Sequence, residues 1–198
     1  MRKVIESMLN ESAETIRSAG VVLATEIQVL AEWIIETYRQ GHKVVLFGNG
    51  GSMCDAMHIA GELVGRFRME RAALPALAFS DPGILTAVSN DYGYETVFAR
   101  QVAAWVTAGD LVVGISTSGK SPSVVVGLQT ARRHGARTVA LTGERGSTMS
   151  EVADLVLAVP SSNTPRIQEC HITIGHIVCE LVEQRVEKIK GPYRLAVA

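Results

Sequence analysis

Residues 43–64 read KVVLFGNGGSMCDAMHIAGELV. The first half is a short apolar run that stops at glycines and the second half carries helical spacing, which predicts a strand, a tight turn and a helix. Gly48, Gly50 and Gly51 let the chain turn sharply and leave the amides at the helix start open to an anion, with Ser52 adding a hydroxyl donor. On the helix, His58 and Glu62 are four residues apart and share a face. Such a turn serves packing as readily as binding, and a His/Glu pair at this spacing also occurs as a plain surface contact. Met53 occupies the last glycine position of the dinucleotide fingerprint, and no lysine follows these glycines as a P-loop requires.

Outward from this unit, strands and helices alternate. Apolar runs at 76–79, 110–116, 137–142 and 155–159 predict four more strands. Asp81 and Pro82 cap a helix through Val88, residues 90–94 form a polar and aromatic turn, and a helical run covers 95–105. Asp91 in that turn is open between a ligand contact and a simple turn role. After the third strand, Ser116, Thr117, Ser118, Gly119 and Ser121 precede Pro122 and a helix to His134, forming a second hydroxyl-rich anion cradle. The alternation predicts an α/β fold with a doubly wound, five-stranded parallel sheet covered on both faces, a three-layer arrangement.

Residues 114–121 match the P-loop pattern G-x-x-x-x-G-K-[ST] letter for letter. Gly114 falls inside the predicted strand, however, and no other apolar strand ends in the acidic residue that would complete a magnesium site, so no nucleotide is expected. The last helix starts near Thr164 and Pro165, is expected to run past Glu187, and threads Gln168, Glu169, His171 and His176 among apolar residues. Buried polar groups cost free energy unless partnered. Gln168 and His176, eight residues apart, can point into one cleft, although His176 also reads as a satisfied core histidine.

At 198 residues, with 47% hydrophobic content and a net charge of −1, the chain is expected to form a single domain with no electrostatic case for nucleic acid. It divides into N-terminal helices (1–41, broken near Gly20), an α/β core (42–189) and a tail (190–198). Cys54, Cys170 and Cys179 show neither disulfide nor thiolate-zinc spacing. No signal-like or membrane-length apolar stretch is apparent, which points to the cytoplasm and away from a membrane.

Gly48-Asn49-Gly50-Gly51-Ser52, His58 with Glu62, Asn90-Asp91-Tyr92-Gly93, Ser116-Thr117-Ser118-Gly119 and Arg166-Ile167-Gln168-Glu169 with His176 together resemble the sedoheptulose 7-phosphate (phosphoheptose) isomerases of the sugar isomerase (SIS) group. The resemblance spans roughly residues 20–185. It implies conversion of sedoheptulose 7-phosphate to D-glycero-D-manno-heptose 7-phosphate, the first step towards the heptose of bacterial surface glycans. It further implies a homotetramer with active sites near subunit interfaces; the N-terminal helices, apolar, outside the strand–helix alternation and free of clustered chemistry, read as a lid or as an oligomer-forming scaffold and are expected to pack between subunits. Phosphate is expected on Ser116, Thr117, Ser118 and Ser121 with Ser52 and the Gly50-Gly51 turn nearby, and sugar hydroxyls on Asn49, Asp55, Asp91 and Gln168. Glu62 and His176 match the acid/base pair, and His58, Glu62, Gln168 and His176 match a site for one zinc ion per subunit in some members. Lys120 departs from the commoner Asn, which creates the false P-loop. A related family that binds the replication initiator lacks the groups matching Glu62 and His176, and a non-catalytic phosphosugar sensor would need only the cradles.

Overall fold

The computed structural model describes residues 1–144 and 148–186. Helices α1 (Arg2–Val22) and α2 (Ala24–Arg39) precede β1 (Val44–Gly48), α3 (Gly51–Val64), β2 (Ala76–Ala78), α4 (Pro82–Tyr92), α5 (Val97–Trp105), β3 (Leu111–Ile115), α6 (Pro122–Arg133), β4 (Arg137–Gly143), β5 (Leu155–Val159) and α7 (Thr164–Val186). All strand pairs are parallel, in the order β2-β1-β3-β4-β5. From β1 the chain first winds outward to β2 and then crosses back to β3, so the winding reverses between β1 and β3. Sheets of this order bind ligands beyond the strand ends at that reversal.

Alternation along each strand builds two cores. Val44, Leu46, Val113 and Leu141 face α2, α3 and α7, whereas Val45, Phe47, Val112 and Ala140 face α5 and α6. Phe47 stacks on Phe98 with ring centroids 4.8 Å apart, and a Cβ on Gly127 of α6 would lie 2.8 Å from the Phe47 ring. Gly114, the first residue of the P-loop pattern, sits within β3, where a Cβ would meet Val124 at 2.9 Å. Its task is to let α6 close on the sheet.

Two boundaries and one burial pattern differ from the sequence reading. The N-terminal helices break at Leu23 (φ −116°, ψ 5°), with a bend of 70°, and not at Gly20. Leu23 is buried, while Gly20 has open space around it and stays helical at a cost of about 1 kcal/mol. Helix α4 runs through Asn90 and Asp91 to Tyr92 and stops only where Gly93 adopts φ +87°, so the expected turn is a helix end followed by a 3-10 turn at Tyr94–Thr96. Helix α2 buries seven residues, but α1 buries Ala19 alone and leaves Val4, Ile5, Met8 and Leu9 exposed. The expected continuation of α7 past Glu187, the core boundary at 189 and the tail at 190–198 lie outside the described residues.

Candidate active site

Two helix N-termini meet at the β1/β3 reversal. Helix α3 begins after Gly50 (φ +55°), which has no side chain to cap it, and α6 begins after Ser121, whose hydroxyl makes no capping bond. The Ser52, Met53 and Val124 amides donate back to the carbonyls of Asn49, Gly50 and Ser121, and with no side-chain cap over either start the helix ends still face outward towards an anion. A Cβ on Gly48 would lie 2.8 Å from both the Ile115 carbonyl oxygen and Ser52 Cβ, so only glycine lets the first turn close on β3 with Ser52 beneath it. Ser116 Oγ lies 3.3 Å from Ser118 Oγ, which in turn accepts from the Lys120 amide at 3.3 Å. Thr117 and Ser118 line a pocket with Lys120, Gly143 and Thr164.

Asn49 ties the two cradles together. Its Nδ2 donates to Ser121 Oγ at 2.7 Å and to Ser123 Oγ at 3.0 Å, and its Oδ1 accepts from the Tyr94 hydroxyl at 2.7 Å. Ser123 and Tyr94 were not singled out from the sequence. Tyr94 stood in the polar and aromatic stretch, but nothing local signals which asparagine it reaches. Asp91 is exposed, and its carboxylate accepts from Asn90 at 2.8 Å; it lies three residues from Tyr94, and the structure does not bring it into contact with the other candidate residues.

Along α3, Asp55, His58 and Glu62 recur at spacings of three and four and share one face, opposite Gln168 and His176 on α7. The helices run side by side in the same direction, so the contacts fall into two levels. Nearer the glycine turn, the Gln168 amide lies beside Asp55 and favours its carboxylate, and it occupies the space a Cβ on Gly51 would need, its Nε2 lying 2.3 Å from that position. Asp55 is buried with Oδ2 unpartnered among the described residues. Burial pushes its carboxyl above the usual range, opposed by the neighbouring Gln168 amide and by His58. Further along, His176 Nε2 lies 3.1 Å from His58 Nε2, and His58 Nε2 lies 3.2 Å from Glu62 Oε1. Phe67 stacks on the His176 imidazole at 5.6 Å, a contact no sequence pattern indicated.

His176 is thus a half-buried group facing other polar groups. The core histidine of α7 is His171, fully buried, with Nε2 3.1 Å from the Thr142 carbonyl oxygen and a pKa lowered by burial to about 4.

His58, Glu62 and His176 offer ligand atoms that all lie within 4.8 Å of one another. Two imidazole nitrogens and a carboxylate suit zinc, whose ligand distances of about 2.0–2.1 Å put the edge of its tetrahedron near 3.3 Å. The observed 3.1 and 3.2 Å separations fit that edge. The fourth expected ligand, Gln168, is engaged with Asp55, so the three-residue set matches the open form of site that leaves room for substrate oxygen.

A SIS domain model matches residues 3–143. The chain is 49% identical over 187 residues to the phosphoheptose isomerase of Geobacter sp. (strain M21), covering 94% of this chain and 97% of that one. Among solved structures, the phosphoheptose isomerase of Neisseria gonorrhoeae superposes with a TM-score of 0.88 at 35% identity, covering 92% of this chain and 98% of that one. That of Francisella tularensis gives 0.89 at 34% identity, covering 92% and 97%.

Proposed function

Because this chain belongs to the SIS-domain phosphoheptose isomerase family, we propose that it is an aldose-ketose isomerase converting sedoheptulose 7-phosphate to D-glycero-D-manno-heptose 7-phosphate. The observation that carries the reading is the meeting of His58, Glu62 and His176 on two helices that start beside an open anion cradle. Six residues of α3 separate Ser52 from His58, on the order of 9 Å of helix, which suits a seven-carbon chain with phosphate at one end and the reacting carbons at the other.

Isomerisation removes a proton from C1 and returns one to C2 while the carbonyl moves from C2 to C1. Glu62 takes the C1 proton and, from the same face, delivers it to C2 of the enediolate. His176 moves protons between the oxygens on C1 and C2, with His58 beside it. Ser52, Ser116, Thr117, Ser118 and Ser121, with the amides of Gly50 and Gly51, hold the phosphate, and this remote anchoring fixes C1 and C2 against Glu62. Asn49, Asp55 and Gln168 accept from or donate to the intervening hydroxyls, while Asp91, set apart from them within this subunit, is not assigned to that group. One zinc ion per subunit would be held by His58, Glu62 and His176, with Gln168 left at the Asp55 level, and would supply polarisation of the sugar oxygens.

A non-catalytic phosphosugar sensor would need the cradles but not a carboxylate and two imidazoles in mutual contact. The working unit is a cytoplasmic homotetramer. Apolar residues exposed on α1 (Val4, Ile5, Met8, Leu9) and around the site (Met57, Val64, Ile177, Leu181) support that reading, because a second subunit would cover them. No single described helix is long and apolar enough to cross a membrane. Incubating purified protein with sedoheptulose 7-phosphate tests the function: an aldose of the same mass appears, and its absence overturns the reading. A fully active monomer in sedimentation overturns the tetramer.

A further inference from the structure

The loop between α3 and β2 is held by groups the reaction does not use. Glu183, only 1% exposed on α7, accepts from three consecutive amides: Phe67 at 3.0 Å, Arg68 at 2.7 Å and Met69 at 2.8 Å. It also pairs with Arg71 Nε at 3.2 Å. Burial alone would raise the Glu183 pKa, but the three amides and the Arg71 charge outweigh it and hold the carboxyl below its usual range. Arg71, buried as well, donates to the carbonyl oxygens of Glu62 at 2.6 Å and Leu63 at 2.8 Å. The ring of Phe67 lies against the His176 imidazole, 5.6 Å between centroids and 22° between planes.

These contacts close a circuit through both groups assigned to proton transfer. His176 and Glu183 are seven residues apart on α7, two helical turns, so they share a face. From Glu183 the connection passes to the Phe67 amide and through its ring to His176; from Glu183 it also passes through Arg71 to the backbone of Glu62.

We propose that Phe67, Arg71 and Glu183 form a brace that fixes the His176 imidazole relative to Glu62 for isomerisation. The inference rests on the proton-transfer roles proposed above for Glu62 and His176. Phe67 is a positioning residue: its flat ring restricts rotation of the imidazole about its side-chain bonds, and Glu183 fixes the backbone from which the ring projects. Loops are ordinarily the mobile parts of such folds; here a buried carboxylate with four partners holds one still. Misplacement of a proton-transfer group lowers the chemical step while leaving the remote phosphate anchor intact.

The test uses the enzyme with sedoheptulose 7-phosphate and five variants, Phe67→Leu, Phe67→Tyr, Glu183→Gln, Glu62→Gln and His176→Gln, measuring kcat, KM and the melting temperature. Phe67→Leu is expected to lower kcat by about tenfold with KM changed by less than about twofold and melting within a few degrees of wild type. Phe67→Tyr, which keeps the flat ring, restores kcat. Glu183→Gln lowers kcat and also melting; since that variant can fail by unfolding, the Phe67 pair decides the matter. Wild-type kcat in Phe67→Leu overturns the brace, as does a Tyr variant as impaired as the Leu variant. Loss of kcat in Glu62→Gln and His176→Gln alongside an unimpaired Phe67→Leu removes the brace alone. Full activity in Glu62→Gln and His176→Gln removes the proton-transfer assignment as well.

Discussion

Replacing Gly51 with alanine isolates the role of Gln168. The added Cβ would stand 2.3 Å from Gln168 Nε2 and 2.8 Å from its Cδ and Oε1, whereas non-bonded heavy atoms rest near 3.5–4.0 Å, so the amide must retreat by about 1 Å or more. Gly51 is not among the glycines with positive φ, so alanine fits the backbone. The obstacle is the end of a flexible side chain, which turns aside and withdraws its amide from the Asp55 carboxyl. Withdrawing a polar neighbour from Asp55, which already has one unpartnered buried oxygen, costs on the order of 1–3 kcal/mol. Alanine in the first helical turn returns up to about 1 kcal/mol through helix propensity. The net loss of about 0–2 kcal/mol lowers the melting temperature by no more than about 8 °C in a chain of this size. Activity responds differently. With Gln168 displaced and Asp55 unrestrained, kcat/KM for sedoheptulose 7-phosphate falls by about ten- to a hundredfold. Steady-state kinetics beside a thermal melt read both effects. Wild-type kcat/KM in a folded Gly51→Ala enzyme would refute the role given to the Asp55–Gln168 level of the site.

Three further outcomes are expected. Ser118→Ala and Ser121→Ala raise KM for the sugar phosphate by about tenfold or more, measured by steady-state kinetics, since each removes a hydroxyl from the cradle; unchanged affinity in both removes the phosphate assignment. His171 has a folded pKa of about 4 against 6.5 unfolded, so below pH 6.5 the unfolded chain takes up a proton that the folded chain refuses. Its contribution of about 3 kcal/mol is complete above pH 6.5 and is lost as pH falls towards 4; denaturant melts should show this limb, and His171→Gln should flatten it. Elemental analysis of protein purified without chelator should find about one zinc per subunit, falling in His58→Ala, while full activity with no detectable metal would remove a required ion.

The sheet was legible because its five strands are short apolar runs separated by strong turn signals, and the 3.6 period placed His58 and Glu62 on one face of α3. What escaped depends on long-range packing. Leu23 breaks the N-terminal helices because its side chain enters the core, an event that no local propensity records, while the more conspicuous Gly20 stays helical. Asn90 and Asp91 look like turn residues, yet the left-handed Gly93 sets the end of α4. In the site, the spacing of α7 raised Gln168 and His176 together, but only the packing of α7 beside α3 separates them into two levels. Tyr94, Ser123, Phe67 and Glu183 reach the site through contacts across 45 to 116 residues of sequence, which leave no periodic trace.

The central claim is that Glu62 carries the proton. Glu62→Gln preserves shape and removes the acceptor, so the direct measurement is its turnover of sedoheptulose 7-phosphate in deuterium oxide, read by proton NMR of the aldose product. The wild-type enzyme should place solvent deuterium at C2, and Glu62→Gln should bind substrate yet turn over at least about a hundredfold more slowly. Near-normal turnover by Glu62→Gln, with deuterium still entering C2, would contradict the assignment and move the base to another residue, His58 first.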